Sequence, residues 1–448
     1  MTDRLSRLAE MLLIAATRAG ADAADALAVD GTSISIDVRD GKLEQAERAE
    51  GIEIGLRVLT GNRQACVSAS DVSERTIGEM AERAVAMARA APADDSLGLA
   101  RPEDLARGWD LAALDLVDPA REPAAAELEA LARDAEAAAL SVAGVTRVQS
   151  ASATFSRRRI HLAATNGFSG GYSRSGRSVS AVATAGEGLK MERDWAAESR
   201  VYASDMPAAE AIGRLAGERA VARLGARKPR TGAFPVLYDE RVAGGLIGHL
   251  LAAANGSAIV RGGSWLRDML GEQVLPAGLS IHENPLRPRI GGSRPFDAEG
   301  LASSPRDIVR FGVLQGWTLD LGTARRLGMR STGSASRGAG SPPAPSVSNI
   351  ALTQGDRSPA QLMEEMGTGL YVTGLIGASI NPTTGDYSRG ASGFWIENGA
   401  IAFPVNECTI AGNLREMLLR IQPANDALAH RSHVVPSLLV EGLTLAGD

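Results

Sequence analysis

The chain has 448 residues, 44% of them hydrophobic, and a formal net charge of −6. That length supports two or three domains with substantial cores. The acidic balance excludes a broad nucleic-acid surface, which needs clustered lysine and arginine; the densest basic run, Arg157-Arg158-Arg159, reads as three solvated side chains on a strand edge.

Cysteine is sparse, with only Cys66 and Cys408. A disulfide framework is therefore not expected, and a reducing compartment is. The first residues mix charges into an amphipathic pattern, and no apolar run reaches the ~20 residues of a membrane span. The expectation is a soluble, cytoplasmic protein with neither a membrane nor a nucleic acid as partner.

In chain order, residues 3–19 place Leu5, Leu8, Met11, Leu12 and Ala15 at helical spacing, and Gly20 stops the run. From Ala26 the period changes to two: Ile34, Ile36 and Val38 alternate, Asp40-Gly41 turns the chain, and Ile52, Ile54, Leu56 and Val58 alternate in turn. A helix over 73–90 offers Ser73 as its N-cap, with Ile77, Met80, Ala84 and Met87 on one face. Residues 96–121 read as connection, and 123–141 as helix. Strands follow at Val145–Ser156, Arg159–Thr165, Tyr172–Ala185 and Glu192–Tyr202, with a turn at Asn166-Gly167. A helix at 207–225 and a linker at 226–230 come next. A strand, Phe234–Tyr238, then leads into a helix, Arg241–Ala254, whose Gly244, Gly245 and Gly248 would permit close packing. The glycine-, serine- and proline-rich stretch 330–360 reads as a mobile loop. Residues 367–414 read as four or five short strands with turns at Asn381-Pro382, Thr384-Gly385-Asp386 and Asn398-Gly399. The fold class is α+β. Helix plus antiparallel-meander units, 1–95 and 96–228, precede a large β-rich C-terminal domain, 229–448.

No self-sufficient catalytic constellation emerges from the residues alone. The five histidines, His161, His249, His282, His430 and His433, fall in no metal-ligand spacing. His249 lies among Leu246, Ile247 and Leu250 and reads as a core or interface histidine, and His430 and His433 as a surface pair. Gly167-Phe168-Ser169-Gly170-Gly171 matches a nucleophile elbow literally, but a strand follows where the elbow needs a helix. Ser169 as the nucleophile of an independent hydrolase is thus the weakest reading. No phosphate-binding loop occurs. Cys408, in a strand-like run, reads as a buried thiol.

Several separated motifs carry a resemblance. They are Glu365-Met366-Gly367-Thr368-Gly369-Leu370, Thr384-Gly385-Asp386-Tyr387-Ser388-Arg389-Gly390-Ala391, Phe394-Trp395-Ile396-Glu397-Asn398-Gly399 and Thr409-Ile410-Ala411-Gly412-Asn413-Leu414. Upstream lie Gly245-Leu246-Ile247-Gly248-His249-Leu250, Pro295-Phe296-Asp297-Ala298-Glu299-Gly300 and Arg325-Arg326-Leu327-Gly328. In this order they resemble the PmbA (TldE) branch of the TldD/PmbA metallopeptidases, a family also labelled modulator of DNA gyrase. The resemblance implies a cytoplasmic two-subunit peptidase that trims small or unfolded peptides. Zinc is then expected in the TldD-type partner, held by an HExxxH helix and a later cysteine.

In this chain the HExxxH place reads Asp239-Glu240-Arg241-Val242-Ala243-Gly244. Only Glu240 matches, and Ser432–Ser437 contains no cysteine. The resemblance therefore implies no metal and no catalytic residue here, with Glu240 a surface carboxylate favoured by the helix dipole. His249, Asp386, Tyr387 and Arg389, with the 330–360 loop, are the expected contacts to substrate or partner. A TldD-type subunit and a peptide substrate are the expected partners, and Gly- and Ala-rich faces leave room for a homodimer of the isolated chain. The alternative is a peptide-binding scaffold that acts without a peptidase partner.

Overall fold

The computed structural model describes residues 4–447; residue 3, where the first helix was expected to begin, lies outside them. Helix α1 (Arg4–Arg18) buries Leu5, Leu8, Ala9, Leu12 and Ala16, and Gly20, at φ 93°, releases the chain. Strands β1 (Ala23–Arg39) and β2 (Lys42–Thr60) are joined by Asp40-Gly41, both at positive φ. This is the two-residue turn whose twist suits antiparallel strands. Then come β3 (Arg63–Ala69) and α2 (Glu74–Ala90). The Ser73 hydroxyl caps α2 by accepting from the Thr76 N–H, as its sequence predicts. The apolar stripe of α2 ends on Val85 and Ala88, however, and Met87 is exposed.

After a one-turn α3 (Leu111–Leu114) the pattern repeats with α4 (Ala125–Leu140), β4 (Val145–Ala164), β5 (Ser169–Ala185), β6 (Glu192–Arg200) and α5 (Ala209–Ala222). Strand β4 is one strand of 20 residues, where the sequence predicts two. The arginine run hides the continuity, because Arg157–Arg159 break the apolar alternation without breaking the ladder. All six strands form a single antiparallel sheet in the order β3-β2-β1-β4-β5-β6, with β1 and β4 paired from Asp25↔Ala164 to Val38↔Ala151. Arg157–Arg159 therefore sit on an interior strand, and Arg157 donates to the Asp118 carbonyl at 3.0 Å. The helices cover one face: α1 and α2 pack on Ala24, Ala26, Ala28, Ile54 and Leu56, and α4 and α5 on Ile34, Ile36, Val38, Ala151 and Phe155. Opposite lie Asp25, Leu27, Val29 and Gly31, the alternate residues of β1.

The C-terminal half begins with β7 (Gly232–Tyr238) and α6 (Glu240–Ala253). Short strands follow: β8 (Ile281–Glu283), β9 (Arg306–Arg310), β10 (Val313–Leu314), β11 (Ala335–Ser336), β12 (Ala344–Pro345) and β13 (Ile350–Leu352). Three long strands come next, β14 (Gly369–Ile380), β15 (Asp386–Glu397) and β16 (Ala400–Asn413), instead of four or five short ones. Their length survives the glycines because bulges at Val372/Gly374, Ile376/Ser379 and Ala391/Gly393 absorb the irregularities. The expected turn at Asn398-Gly399 joins β15 to β16, both residues at positive φ. After β17 (Gln422–Pro423) and β18 (His433–Val434), β19 (Leu438–Ala446) pairs with both β7 and β16. The order β16-β15-β14-β7-β19, returning to β16, closes a barrel. Leu246, Ile247 and Leu250 of α6 join Trp395, Val372 and Leu438 in its core.

The two halves meet on the uncovered face of the first sheet. The 330–360 stretch, read from composition as mobile, is pinned there: Ala335, Ala339, Ser348 and Asn349 are buried. Gly55 makes the fit possible, since a Cβ there would stand 2.1 Å from the Ala339 carbonyl oxygen. Beside it Arg337 is ion-paired with Asp25, which also takes Arg57 at 2.6 Å. All three side chains are at most 4% exposed. Burial alone would raise the Asp25 carboxyl, but the charges of Arg337 and Arg57 reverse this and hold it below its ordinary value. Replacing Asp25 by Asn should leave two buried guanidiniums without a counter-charge. We expect a loss of about 3–5 kcal/mol in denaturant unfolding, and a much smaller effect for Arg48→Gln, whose ion pairs are exposed.

Candidate functional site

Helix α6 carries the positions that the sequence aligns with a zinc-binding helix. Its N-cap is Asp239, whose Oδ1 accepts from the Arg241 backbone N–H at 3.0 Å and from Arg241 Nε at 2.8 Å. The other oxygen of Asp239 takes the Tyr371 hydroxyl. Arg241 extends the cluster to Asp194 of β6 at 3.1 Å, and Arg223 stands 3.6 Å from the same Asp194. Glu240 pairs with Arg431 at 3.1 Å and is only 16% exposed, so it is not the free surface carboxylate that its sequence position implies. Burial pushes its carboxyl up, and the Arg431 charge only partly offsets this. Gly244 brings no donor, and a Cβ there would meet nothing within 4 Å; the same holds for Gly245 and Gly248. The close packing expected of these glycines is therefore not made within the chain, and one face of α6 is left as bare backbone.

A zinc ion does not fit these residues. The Asp239 carboxylate is spent on the helix cap, Tyr371 and Arg241, while guanidiniums from Arg241 and Arg431 occupy the space a cation would need. Among the described residues, no three His, Cys, Asp or Glu side chains gather as a metal site. Cys408 is buried, its thiol donates to the Ala391 carbonyl, and burial raises it to about 11.

Two turns along α6, His249 packs edge-on against Tyr387 of β15, their ring centroids 6.0 Å apart. Tyr387 is buried with its hydroxyl against that of Tyr238, and neither they nor His249 Nε2 meet a further partner of regular geometry. Burial, with Arg389 nearby, keeps the imidazole neutral by lowering its affinity for a proton. Arg389 donates to the Gly377 carbonyl at 2.7 Å and braces the bulge in β14. Asp386 is exposed; it accepts from Thr384 Oγ1 at 2.6 Å and Asn413 Nδ2 at 3.0 Å, tying the hairpin end to β16. The fold thus brings His249, Tyr387 and Arg389 together, while Asp386 serves the turn. Asp239 and Glu240 lie at the other end of the same helix.

Two other motifs join the halves. Arg325 donates to the carbonyls of Ser96 and Leu99 at 2.9 and 2.8 Å, and Arg326 binds Asp94. In the Pro295–Gly300 motif, Phe296 enters an aromatic cluster with Trp109, Phe168 and Tyr172. Asp297 accepts from the backbone N–H groups of Glu299, Leu301 and Ala335, and Glu299 accepts from that of Leu321.

One juxtaposition escaped the sequence. Ser169 lies 3.1 Å from His161 Nε2 across the β4–β5 hairpin. Even so, Ser169 opens a strand, so the helix N-terminus that supplies an elbow's oxyanion donors is missing. His430 and His433 do not form a pair: His430 faces Glu198 at 3.2 Å and His433 begins β18 beside Ile350. The Asp194–Arg241–Asp239–Tyr371 cluster was also missed, because its members are scattered through the chain and no spacing links them.

Three family models match in series: PmbA/TldA metallopeptidase domain 1 over residues 24–88, the central domain over 118–224 and the C-terminal domain over 231–447. The chain belongs to the PmbA/TldD metallopeptidase family. It is 35% identical to Metalloprotease PmbA of Escherichia coli O157:H7 over 95% of this chain and 93% of that one. A Metalloprotease PmbA homolog of Haemophilus influenzae is also 35% identical, over 97% and 94%. A crystal structure from Bacteroides thetaiotaomicron, described as a modulator of DNA gyrase, superposes with a TM-score of 0.91 at 26% identity, covering 100% of both chains. TldE from Thermococcus kodakarensis shares the fold, with a TM-score of 0.84 at 18% identity over 98% of this chain and 100% of that one.

Within the Pro295–Gly300 motif, the buried carboxyls of Asp297 and Glu299 compete for one negative charge. Burial first, and then the Asp297 charge, push Glu299 up to about 8; the three N–H donors make Asp297 the better anion. A carboxyl that binds its proton more tightly folded than unfolded stabilises most below its unfolded value near 4.5. That contribution is lost as pH rises toward 8. The Glu299 contribution should therefore fall between about pH 5 and 8, so the difference in unfolding free energy between the protein and its Glu299→Gln variant should change with pH across that range; denaturant titrations of both check it.

Proposed function

We propose that this chain is the PmbA/TldE-type subunit of a cytoplasmic two-subunit zinc peptidase that processes small or unfolded peptides. In this reading it contributes walls of the substrate chamber, while a TldD-type partner supplies the metal. The observation that carries the reading is the start of α6. A helix in the place of a ligand helix has its Asp239 locked in a cap with Arg241 and Tyr371, and presents Gly244 where a second ligand would stand. The bare glycine face of α6, with His249 and the β14–β15 hairpin at its end, is the surface offered to partner or peptide. Ile376, in that hairpin, is 74% exposed.

Purified alone, the chain should leave unstructured peptides intact; mixed with a TldD-type subunit carrying HExxxH, it should yield cleavage that a chelator abolishes. Asp386→Ala and Arg389→Ala should each weaken assembly or processing while the partner's zinc content stays constant. Peptide binding by the chain with no effect of the partner would favour the scaffold reading instead. Cleavage by the chain alone that disappears in Ser169→Ala would move the activity to the Ser169–His161 pair.

A further inference from the structure

Between the uncovered face of the first sheet and the C-terminal half lies a cleft of about 590 Å³, within the roughly 300–1,000 Å³ range of built ligand sites. Its floor is apolar, with Leu27 and Val29 of β1, Ile160 and Leu162 of β4, Tyr172 of β5 and Phe296. Gly31 and Gly51, opposite each other on β1 and β2, keep the floor low. Arg158, Arg174, Arg294 and Arg337 line it as well.

The arginines in this cleft are only partly balanced from within: the Arg294 charge helps to hold Asp297 as an anion, without a direct ion pair. Among the described residues Arg158, Arg174 and Arg294 make no ion pair. Arg174 donates to the carbonyls of Gly291 and Ser293, both at 2.9 Å, and Arg294 to those of Ala335 and Ser346 at 3.2 and 2.8 Å. Both leave Nε without a partner. Arg337, whose side chain is 1% exposed, pairs with Asp25 through one nitrogen and leaves Nε and Nη2 unsatisfied. Three carboxylates also line the cleft. Glu50 is engaged by Arg48 at 2.7 Å, Asp297 is held by three backbone N–H groups, and Glu53 is exposed on β2. Arg174 and Arg294 are half-buried, each with a buried Nε that finds no partner, and Arg158 is exposed at the edge; partly desolvated guanidiniums that meet only carbonyls, beside an apolar floor, mark a place for an anion with an apolar neighbour.

We propose that the cleft binds the free C-terminal carboxylate of a peptide whose last side chain is apolar. The carboxylate meets the Arg174 and Arg294 guanidiniums, with Arg158 adding charge, and the side chain lies on Val29, Ile160 and Tyr172. This rests on the peptide-processing reading and adds to it the end of the substrate that is recognised and a site apart from α6.

The test is calorimetric titration of the isolated full chain with acetyl-Ala-Ala-Ala-Leu as the free acid, as the C-terminal amide, and with inorganic phosphate. The free acid should bind on the order of ten-fold or more tighter than the amide, as expected for charge-assisted hydrogen bonds. Arg158→Gln, which breaks no bond in the fold, should weaken the acid and leave the amide unchanged. Gly51→Leu, whose side chain would enter open space, should block the acid while the melting temperature holds. Equal binding of acid and amide, no binding of either, indifference to both substitutions, or phosphate binding tighter than the acid would overturn the assignment. Cleavage by the mixed subunits, followed in parallel, separates the two ideas. If it persists without acid selectivity, only the cleft proposal fails; if selectivity appears without cleavage, only the subunit reading fails.

Discussion

The architecture depends on one buried carboxylate. Asp25, on the face of the first sheet that no helix covers, takes Arg57 from its own sheet and Arg337 from the C-terminal half. Removing three charged groups from water is unfavourable unless their geometry is maintained, and that requirement fixes how the halves meet. The Gly55–Ala339 approach, the Asp297 loop and the Phe296 aromatic cluster all follow from the same docking. Arg325 and Arg326 tie down the far side through the 94–99 segment. The cleft, lined by Arg158, Arg174 and Arg294, lies along this joint.

At the start of α6 in the second half, Asp239 caps the helix and takes Arg241, Arg431 pairs with Glu240, and Tyr371 closes the cluster with its hydroxyl. Each group has found a structural partner, so the helix start is a rigid corner linking α6 to β6 and to the segment before β18. The same helix keeps an unpacked glycine face. Within one element, then, stability sits at the N-terminal end and the surface available to another molecule runs along its length.

Much of this was legible in the residues. Asp40-Gly41 and Asn398-Gly399 marked tight turns because positive φ at two successive positions admits few residues. Ser73 marked a cap, and alternation in β1 and β2 gave the strands. What could not be read is long-range: β1 pairing with β4 joins segments more than a hundred residues apart, and nothing local encodes it. The 330–360 segment misled because composition reports chain entropy and not the backbone hydrogen bonds and buried arginine that overcome it. Arg157–Arg159 misled in the other direction. Charge suggested an edge, whereas the sheet takes each arginine differently, one to a carbonyl, one to the cleft and one to Asp30. The family motifs were legible as signatures, but only the structure shows that Asp297, Glu299, Arg325 and Arg326 join the halves.

The most direct measurement is the zinc content of the isolated chain after equilibration with excess zinc and gel filtration, compared with that of its Glu240→Gln variant. The account predicts far less than one zinc per chain for both, because the donors at the start of α6 are committed elsewhere. One tightly held zinc per chain in either protein would contradict it.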